Sequence, residues 1–268
     1  MRKNITQAKR IVIKVGTSTL THENGKINLA RVDKLSEVLS DLMNQGLEII
    51  LVTSGAVGVG MGKLKLNTRP KSVRERQAAA AVGQSELMHL YSKFFSEYGH
   101  IVGQILLTKD VVEYEHSRKN VINTFEELLT RGIIPIVNEN DSVATEELEF
   151  QDNHTFGDND TLSAIVSVLV KADLLILLSD IDGFYNDDPN LNKDAKLISD
   201  IYELNDEVTQ SAKGVVSTKG TGGMATKINA AKICFDGNIN MIIAHGQSPQ
   251  ILYQILKGEQ IGTLFHRK

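Results

Sequence analysis

The 268-residue sequence predicts an α/β fold, a three-layer αβα sandwich with an open, mostly parallel central sheet. One recurring pattern supports this prediction: an amphipathic helical stretch, a stop that contains glycine, and then a short apolar run. The pattern appears as LSDLMNQG–LEIILVTS, KFFSEYG–HIVGQILLT, FEELLTRG–IIPIVNEN and AKICFDGN–INMIIA. Strands that alternate with helices form βαβ units, and their parallel sheets are covered by helices on both faces.

The individual elements follow from local signals along the chain. The first strand is IVIKVG, and the apolar positions of the helix after it share one face: Leu29, Val32, Leu35, Val38, Leu39 and Leu42. Asn28 is the expected N-cap of that helix. Four glycines stand where a helix end requires positive φ: Gly46, Gly99, Gly132 and Gly237. The run ADLLILLSD adds a further strand.

Composition and charge restrict the class of protein. The net charge of −4 gives no indication of a nucleic-acid surface. The single cysteine, Cys234, excludes an internal disulfide or a cysteine-based zinc cluster, and its helical context predicts a buried thiol. No apolar run approaches the roughly 18 residues of a membrane span, and the first one stops at Lys14, too early for a signal peptide. We therefore expect a cytoplasmic protein with no membrane partner.

Polar residues follow the predicted strands, which is where parallel sheets bind ligands. Lys14 lies inside an apolar strand, so its ammonium either meets an anion or reaches solvent from an edge strand. Ser54 and Gly55 follow the second strand at the start of a helix, whose free N–H groups favour anions. Ser179 and Asp180 follow the run LLILL in the same way.

Acids and amides are concentrated in two further places, NEND at 138–141 and DND at 158–160. An N-cap explains one residue of such a cluster but not several. Amides and carboxylates together suit a zwitterionic ligand, because carboxylates accept from an ammonium while amide and backbone N–H groups donate to a carboxylate. A divalent metal held by the carboxylates is the alternative interpretation.

Three glycine-rich or basic stretches also call for interpretation. KGTGGMATK is not a GxxxxGK[ST] loop, but its glycines can bring backbone amides close to phosphates, and Lys227 falls about one turn into the next helix. Gly58, Gly60 and Gly62 lack dinucleotide-binding spacing and indicate close helix packing. The basic segment 63–76 is interpreted as a solvated loop running into a helix, with a flap over an anionic site as the alternative.

Six segments in this order resemble the amino acid kinase family: VIKVGTS, VTSGAVGVG, NENDSVA, GDNDTLSA, LLSDIDGFYNDDP and GTGGMATK. The resemblance runs from Lys14 to Phe265. The particular forms NENDSVA and GDND and the ending GTLFH resemble the members that act on glutamate. They imply an enzyme that transfers the γ-phosphoryl of ATP, with Mg²⁺, to the side-chain carboxylate of L-glutamate, the first step of proline biosynthesis. Other members of the fold remain alternatives, namely acetylglutamate kinase, aspartokinase and nucleoside monophosphate kinase, as does a non-catalytic amino-acid sensor.

The resemblance also implies roles for individual residues. The residues implied to be catalytic are Lys14, Lys227 and Asp160, the last holding the two lysines. The residues implied to bind the amino acid are Ser54, Gly55, Asp141, Asp158 and Asn159. Those implied to bind the nucleotide are Lys14, Ser179, Asp180, Thr221, Gly222, Gly223, Met224, Ala225, Thr226 and Lys227. No metal-ligating side chain is predicted, and Mg²⁺ is expected mainly on the ATP phosphates.

The expected organisation is one kinase domain over residues 1–268. Its N-terminal lobe, about 1–170, would bind glutamate, and its C-terminal lobe, about 171–268, would bind ATP. Many bacterial glutamate-phosphorylating relatives continue into a C-terminal PUA domain, which we do not expect here because the sequence stops at GTLFHRK. The resemblance further implies proline as a feedback inhibitor and a homo-oligomer, either a dimer or a tetramer.

Overall fold

The computed structural model describes residues 2–22, 26–68, 70–143, 158–189, 191–205, 208 and 223–267. Its strands are β1 (Arg10–Val15), β2 (Glu48–Val52), β3 (Val102–Leu107), β4 (Ile134–Glu139), β5 (Leu174–Ser179), β6 (Asp200–Ile201), β7 (Asn240–His245) and β8 (Thr263–Phe265). Its helices are α1 (Thr17–Leu20), α2 (Leu29–Asn44), α3 (Ala56–Lys63), α4 (Val73–Glu97), α5 (Lys109–Glu113), α6 (Glu115–Thr130), α7 (Asn159–Leu169), α8 (Met224–Asp236) and α9 (Ile251–Leu256). A 3₁₀ turn, Ile5–Gln7, precedes β1.

The strands form one sheet in the order β3-β4-β2-β1-β5-β7-β8-β6. Neighbours from β3 to β7 pair in parallel, β8 runs antiparallel to β7, and β6 pairs in parallel with β8. The mostly parallel sheet predicted from the alternating pattern is thus confirmed. The two short strands β6 and β8 were not predicted, because two or three residues carry too little periodicity to be recognised.

Helices cover both faces of the sheet, which confirms the three-layer prediction. Ile11, Ile13 and Val15 of β1 pack into one core with residues of α2, α3, α4 and α9. Val12 packs into a second core with residues of α6, α7 and α8. Because side chains alternate along a strand, Lys14 lies on the same face as Val12 and is directed towards α7 and α8.

Most of the predicted helix ends are confirmed. Asn28 accepts a hydrogen bond from the Arg31 N–H as the N-cap of α2, and Gly46, Gly99 and Gly132 all have positive φ. Gly237 was predicted wrongly: its φ is −81°, and Asn238 has the positive φ of 57°. The helical conformation extends through Gly237, and asparagine tolerates the left-handed region better than most residues.

Leu29 was also assigned wrongly to the buried face of α2. It opens the helix and is 52% exposed, while the other five apolar residues of that face are buried. In the first turn of a helix, a side chain can lie beyond the layer that the rest of the face packs against. Cys234 is buried as predicted, and burial raises the pKa of its thiol to about 12.

Close helix packing was predicted for Gly58, Gly60 and Gly62, and the structure confirms it for Gly60 alone; for the other two the prediction is wrong. A Cβ added at Gly60 would lie 1.8 Å from the carbonyl oxygen of Ala79, and one at Gly83 would lie 1.8 Å from that of Ala56. Helices α3 and α4 therefore touch through their backbones. Gly58 and Gly62 make no such close approach.

The basic segment contains the end of α3, an exposed connection and the start of α4, where Ser72 and Glu75 form a capping box. Lys63 pairs with Glu86 at the surface. Its interpretation as a solvated loop leading into a helix is confirmed for the part that the structure describes. In that part, none of the helices has the length and apolar character of a membrane span.

Candidate active site

Polar residues collect at the carboxyl ends of four adjacent strands, β4, β2, β1 and β5. Asn138 lies at the end of β4, Thr53 and Ser54 follow β2, Gly16 follows β1, and Ser179 ends β5. Parallel strands direct all these ends to one edge, so residues as far apart in sequence as Gly16 and Ser179 can meet there. The N-termini of α3 and α7 begin at the same edge.

Lys14, Asp160 and Lys227 meet in a buried cluster of charges. Lys14 Nζ lies 2.6 Å from Asp160 Oδ1, and Lys227 Nζ lies 3.1 Å from Asp160 Oδ2. The side chains of Lys14, Lys227 and Asp160 are only 13%, 6% and 1% exposed. Since β1 lies between β2 and β5, Lys14 does not reach solvent from an edge strand; its ammonium meets the Asp160 carboxylate.

The two lysines keep Asp160 ionised. Burial alone would raise its pKa, but the nearby ammonium groups outweigh burial and lower the pKa to about 2. Such a weak base accepts a proton poorly at neutral pH. Two ammonium groups against one carboxylate also leave the cluster with a net positive charge.

Helix α8 brings Lys227 to the cluster and contributes a second contact. The hydroxyl of Thr226 lies 2.9 Å from Asp160 Oδ2 and 2.8 Å from the carbonyl oxygen of Gly223, the N-cap residue. The Met224 side chain packs in the core, so only its backbone is available to a ligand, and Ala225 is exposed. Thr221 and Gly222, both predicted to contact nucleotide, lie outside the described residues.

Asp158 is the N-cap of α7. Its Oδ1 accepts from the N–H groups of Asp160 and Thr161 at 2.7 and 2.8 Å, and its Oδ2 accepts from the Thr161 hydroxyl at 2.9 Å. Burial raises the pKa of Asp158, an effect partly opposed by the hydrogen bonds from Thr161. The geometry therefore gives this carboxylate a structural role in addition to the predicted contact with substrate, which stays a prediction.

Ser54 and Gly55 form the entry to α3. The Ser54 hydroxyl donates to the carbonyl oxygen of Val15 at 3.2 Å and lies 3.3 Å from the Thr17 hydroxyl. Gly55 has φ of 94°, and a Cβ there would lie 3.1 Å from the Thr17 side chain. The positive φ favours glycine at this position, and the turn brings the start of α3 against Thr17, the first residue of α1.

Asn159 is partly buried and joins two buried amide side chains in a hydrogen-bond network. Its Nδ2 donates to the Thr53 carbonyl oxygen at 2.7 Å and to Asn138 Oδ1 at 3.1 Å. Asn138 Nδ2 donates in turn to Gln84 Oε1 at 2.8 Å. Gln84 carried no signal in the sequence, because it is one polar residue in the alanine-rich start of a long helix.

The remaining predicted residues are dispersed around this centre. Asp141 lies partly exposed in the turn after β4. The Ser179 hydroxyl donates to Asp180 Oδ1 at 3.1 Å, and Asp180 is exposed at the end of β5. Among the described residues, no group of three or more His, Cys, Asp or Glu side chains is arranged to hold a metal ion.

Comparison with known proteins identifies the family. A protein-family model described as the amino acid kinase family matches residues 9–245. The chain belongs to the amino acid kinase family. The match spans the strands β1 to β7 and includes Lys14, Asp160 and Lys227.

Among curated members of the amino acid kinase family, two similar proteins are glutamate 5-kinases. The one from Clostridium perfringens (strain 13 / Type A) is 57% identical over 268 residues, covering 100% of this chain and 99% of that protein. The one from Listeria monocytogenes serovar 1/2a is 58% identical over 268 residues, covering 100% of this chain and 96% of that protein.

Solved structures support the amino acid kinase fold. UMP kinase from Bacillus anthracis superposes with a TM-score of 0.64 at 16% identity, over 97% of this chain and 96% of that chain. Carbamate kinase from Giardia lamblia superposes with a TM-score of 0.68 at 13% identity, over 98% of this chain and 100% of that chain. At these identities the similarity extends to the fold alone.

Proposed function

We propose that this protein phosphorylates the side-chain carboxylate of L-glutamate with ATP, forming L-glutamyl 5-phosphate in the first step of proline biosynthesis. The observation that supports phosphoryl transfer is the buried bridge in which Asp160 holds Lys14 and Lys227 together. The identity of the acceptor rests on the full-length similarity to two glutamate 5-kinases.

The reaction places particular demands on charge. A carboxylate with a pKa near 4.3 is already ionised at pH 7, so the attacking oxygen needs no general base. The difficulty is to bring this anion in line with a polyanionic nucleotide. Lys14 and Lys227 supply fixed positive charge at the place where the two meet. Asp160 is too weak a base to remove a proton and instead orients both ammonium groups.

In this proposal the two substrates bind on either side of the lysine–aspartate centre. L-Glutamate would lie near Ser54, Gly55, Asp141 and Asn159, and ATP near Ser179, Asp180 and the start of α8. As the family resemblance implies, Mg²⁺ would be held mainly by phosphate oxygens, together with water. The ion would neutralise part of the phosphate charge.

The decisive experiment traps the acyl phosphate as a hydroxamate in the presence of ATP and Mg²⁺. L-Glutamate, N-acetylglutamate and L-aspartate are compared as acceptors, and we expect efficient turnover with L-glutamate alone. Preference for either other acceptor would overturn the proposed substrate and favour another member of the family. Absence of turnover with all three would favour a sensor.

Variants of the two lysines test the proposed centre. Lys14→Ala and Lys227→Ala should each lower kcat by roughly 10²–10⁴, the scale expected for losing a donor to the transition state. Lys63→Ala is the matched control, because Lys63 is 59% exposed and pairs with Glu86 at the surface. Near-normal turnover in both lysine variants would contradict the proposed role of Lys14 and Lys227 in phosphoryl transfer.

The cellular setting is part of the same proposal. Proline would act as a feedback inhibitor, and the protein would be a cytoplasmic homo-oligomer. These statements rest on the family resemblance. Titration of the hydroxamate assay with proline tests the feedback inhibition. Measurement of the molar mass in solution tests the oligomeric state.

A further inference from the structure

Three amide side chains, two of them buried and one partly buried, connect helix α4 to the N-terminus of α7. Gln84 Oε1 accepts from Asn138 Nδ2 at 2.8 Å, and Asn138 Oδ1 accepts from Asn159 Nδ2 at 3.1 Å. Gln84 and Asn138 are buried, and Asn159 is the first residue of α7, directly before Asp160. We call these three residues the amide relay.

Backbone groups fix the orientation of the two asparagine amides, that is, which atom of each is the oxygen and which is the nitrogen. The Glu139 N–H donates to Asn138 Oδ1 at 2.9 Å, and the Thr53 carbonyl oxygen accepts from Asn159 Nδ2 at 2.7 Å. A backbone N–H cannot accept, and a carbonyl oxygen cannot donate. Turning over either asparagine amide would therefore place two donors or two acceptors face to face.

The consequence is that Asn159 presents an acceptor. Both hydrogens of its Nδ2 are taken, one by Thr53 and one by Asn138. Its Oδ1 has no hydrogen-bond partner in the described part of the chain. A carbonyl oxygen at the edge of the site, next to the lysine–aspartate cluster, suits a ligand that donates hydrogen bonds.

Gln84 forms the other end of the relay, and its burial there lowers the stability of the protein. Its Oε1 is satisfied, but its Nε2 is buried without a hydrogen-bond partner in the described chain. An unpaired buried donor is destabilising, so a side chain needed only to fill this space would be better apolar. What glutamine contributes, and methionine of similar length cannot, is the acceptor for Asn138.

We propose that Gln84 is a positioning residue of the amino-acid site. By accepting from Asn138, it holds the relay so that Asn159 Oδ1 accepts a hydrogen bond from the α-ammonium group of the substrate. A hydrogen bond from an ammonium is charge-assisted and stronger than a neutral one. The relay thus selects for a free α-amino group, and this inference rests on the proposed function.

Gln84→Met tests the proposal in the hydroxamate assay. We expect the KM for L-glutamate to rise about tenfold, within the range of a weakened hydrogen bond to a charged group. The KM for ATP should stay within about twofold. Glutarate, which lacks the amino group but keeps both carboxylates, is the probe for the ammonium contact, and its competitive inhibition constant should stay unchanged.

Two further variants separate positioning from folding. Gln84→Glu keeps an acceptor oxygen at the same reach and should retain a KM for L-glutamate within about threefold of the parent. Tyr91→Phe removes another buried polar contact of α4, the 2.8 Å hydrogen bond to the Thr53 hydroxyl. It should lower the melting temperature without changing the KM for either substrate.

The outcomes distinguish this inference from the proposed function. Parallel rises in the KM for L-glutamate, the KM for ATP and the inhibition constant of glutarate would overturn the positioning role. So would an unchanged KM for L-glutamate in folded Gln84→Met. If Gln84→Met does not fold, the test passes to Gln84→Glu. A tenfold rise in its KM for L-glutamate would then overturn the positioning role. Lack of glutamate-dependent turnover in the parent protein would overturn the proposed function itself.

Discussion

Asp160 is the residue on which the candidate site depends. Two ammonium groups with little exposure would be strongly destabilising if unpaired, and Asp160 is the carboxylate that both contact. It comes from the first turn of α7, whose own N-cap, Asp158, receives the Asp160 N–H. The same helix turn therefore places the carboxylate and fixes its orientation.

The depressed pKa of Asp160 makes stability depend on pH. A carboxylate whose pKa falls from 3.8 to about 2 on folding stabilises the native state above the unfolded pKa, and this contribution is lost as pH falls. The full contribution is about 2 kcal/mol, and about 1 kcal/mol of it should be lost between pH 7 and pH 3. Urea unfolding at several pH values measures the change.

Asp160→Asn is the control for that titration. The variant cannot gain or lose this proton, so its stability deficit relative to the parent should be largest at pH 7. The deficit should become smaller by about 1 kcal/mol at pH 3. A deficit that is constant from pH 7 to pH 3 would show that the two lysines do not hold Asp160 ionised.

At the scale of elements, the contact between α3 and α4 sets the geometry of one wall of the site. Helix α3 starts directly after Ser54 and Gly55, and α4 carries Gln84. Gly60 and Gly83 let the two helix backbones touch, so the distance between them is determined by glycine rather than by side-chain packing.

Gly60→Ala should therefore be strongly destabilising. The new methyl group would lie 1.8 Å from the Ala79 carbonyl oxygen, and backbone cannot move aside as a side chain can. We expect a loss of about 3 kcal/mol in the free energy of unfolding, the upper part of the range for overpacked sites. Chemical denaturation gives the value directly.

Gly62→Ala is the matched control in the same helix. A Cβ at Gly62 meets nothing within 4 Å, and Gly62 is exposed. Replacing an exposed helical glycine should stabilise the protein by roughly 0.5–1 kcal/mol. Equal effects of the two substitutions would contradict the close backbone contact.

Apolar periodicity predicts the helices and strands, and the polar residues at strand ends predict most of the candidate site. Both signals depend only on residues that are close together in the sequence. The apolar run around Lys14 predicts a strand, and the acids at 158–160 predict a helix start. The sequence cannot reveal that Gln84 reaches Asn138, since that contact depends on how α4 packs over the sheet. For the same reason, which of Gly237 and Asn238 takes the left-handed conformation is decided by where α8 ends.

At the scale of the whole molecule, one continuous sheet joins the two proposed lobes. β1 and α7, which carry Lys14 and Asp160, lie within residues 1–170, whereas α8 carries Lys227 from residues 171–268. The charged cluster therefore forms only when both parts of the chain are in place. This arrangement suits a reaction in which each part holds one of two anionic substrates.

The two parts should then respond differently to substitution. Asp141 follows β4 on one side of the cluster, and Asp180 follows β5 on the other. Asp141→Ala should raise the KM for L-glutamate about tenfold, since it removes a carboxylate that would attract the α-ammonium group. Asp180→Ala should instead raise the KM for ATP. In each variant, the KM for the other substrate should stay within about twofold of the parent.

Steady-state kinetics with one substrate saturating and the other varied give all four constants. Each variant serves as the control for the other, because both remove one partly or fully exposed carboxylate after a parallel strand. If Asp141→Ala changes mainly the KM for ATP, the proposed lobes are reversed. If each variant changes both constants equally, the two substrates share their contacts, and binding is not divided between residues 1–170 and 171–268.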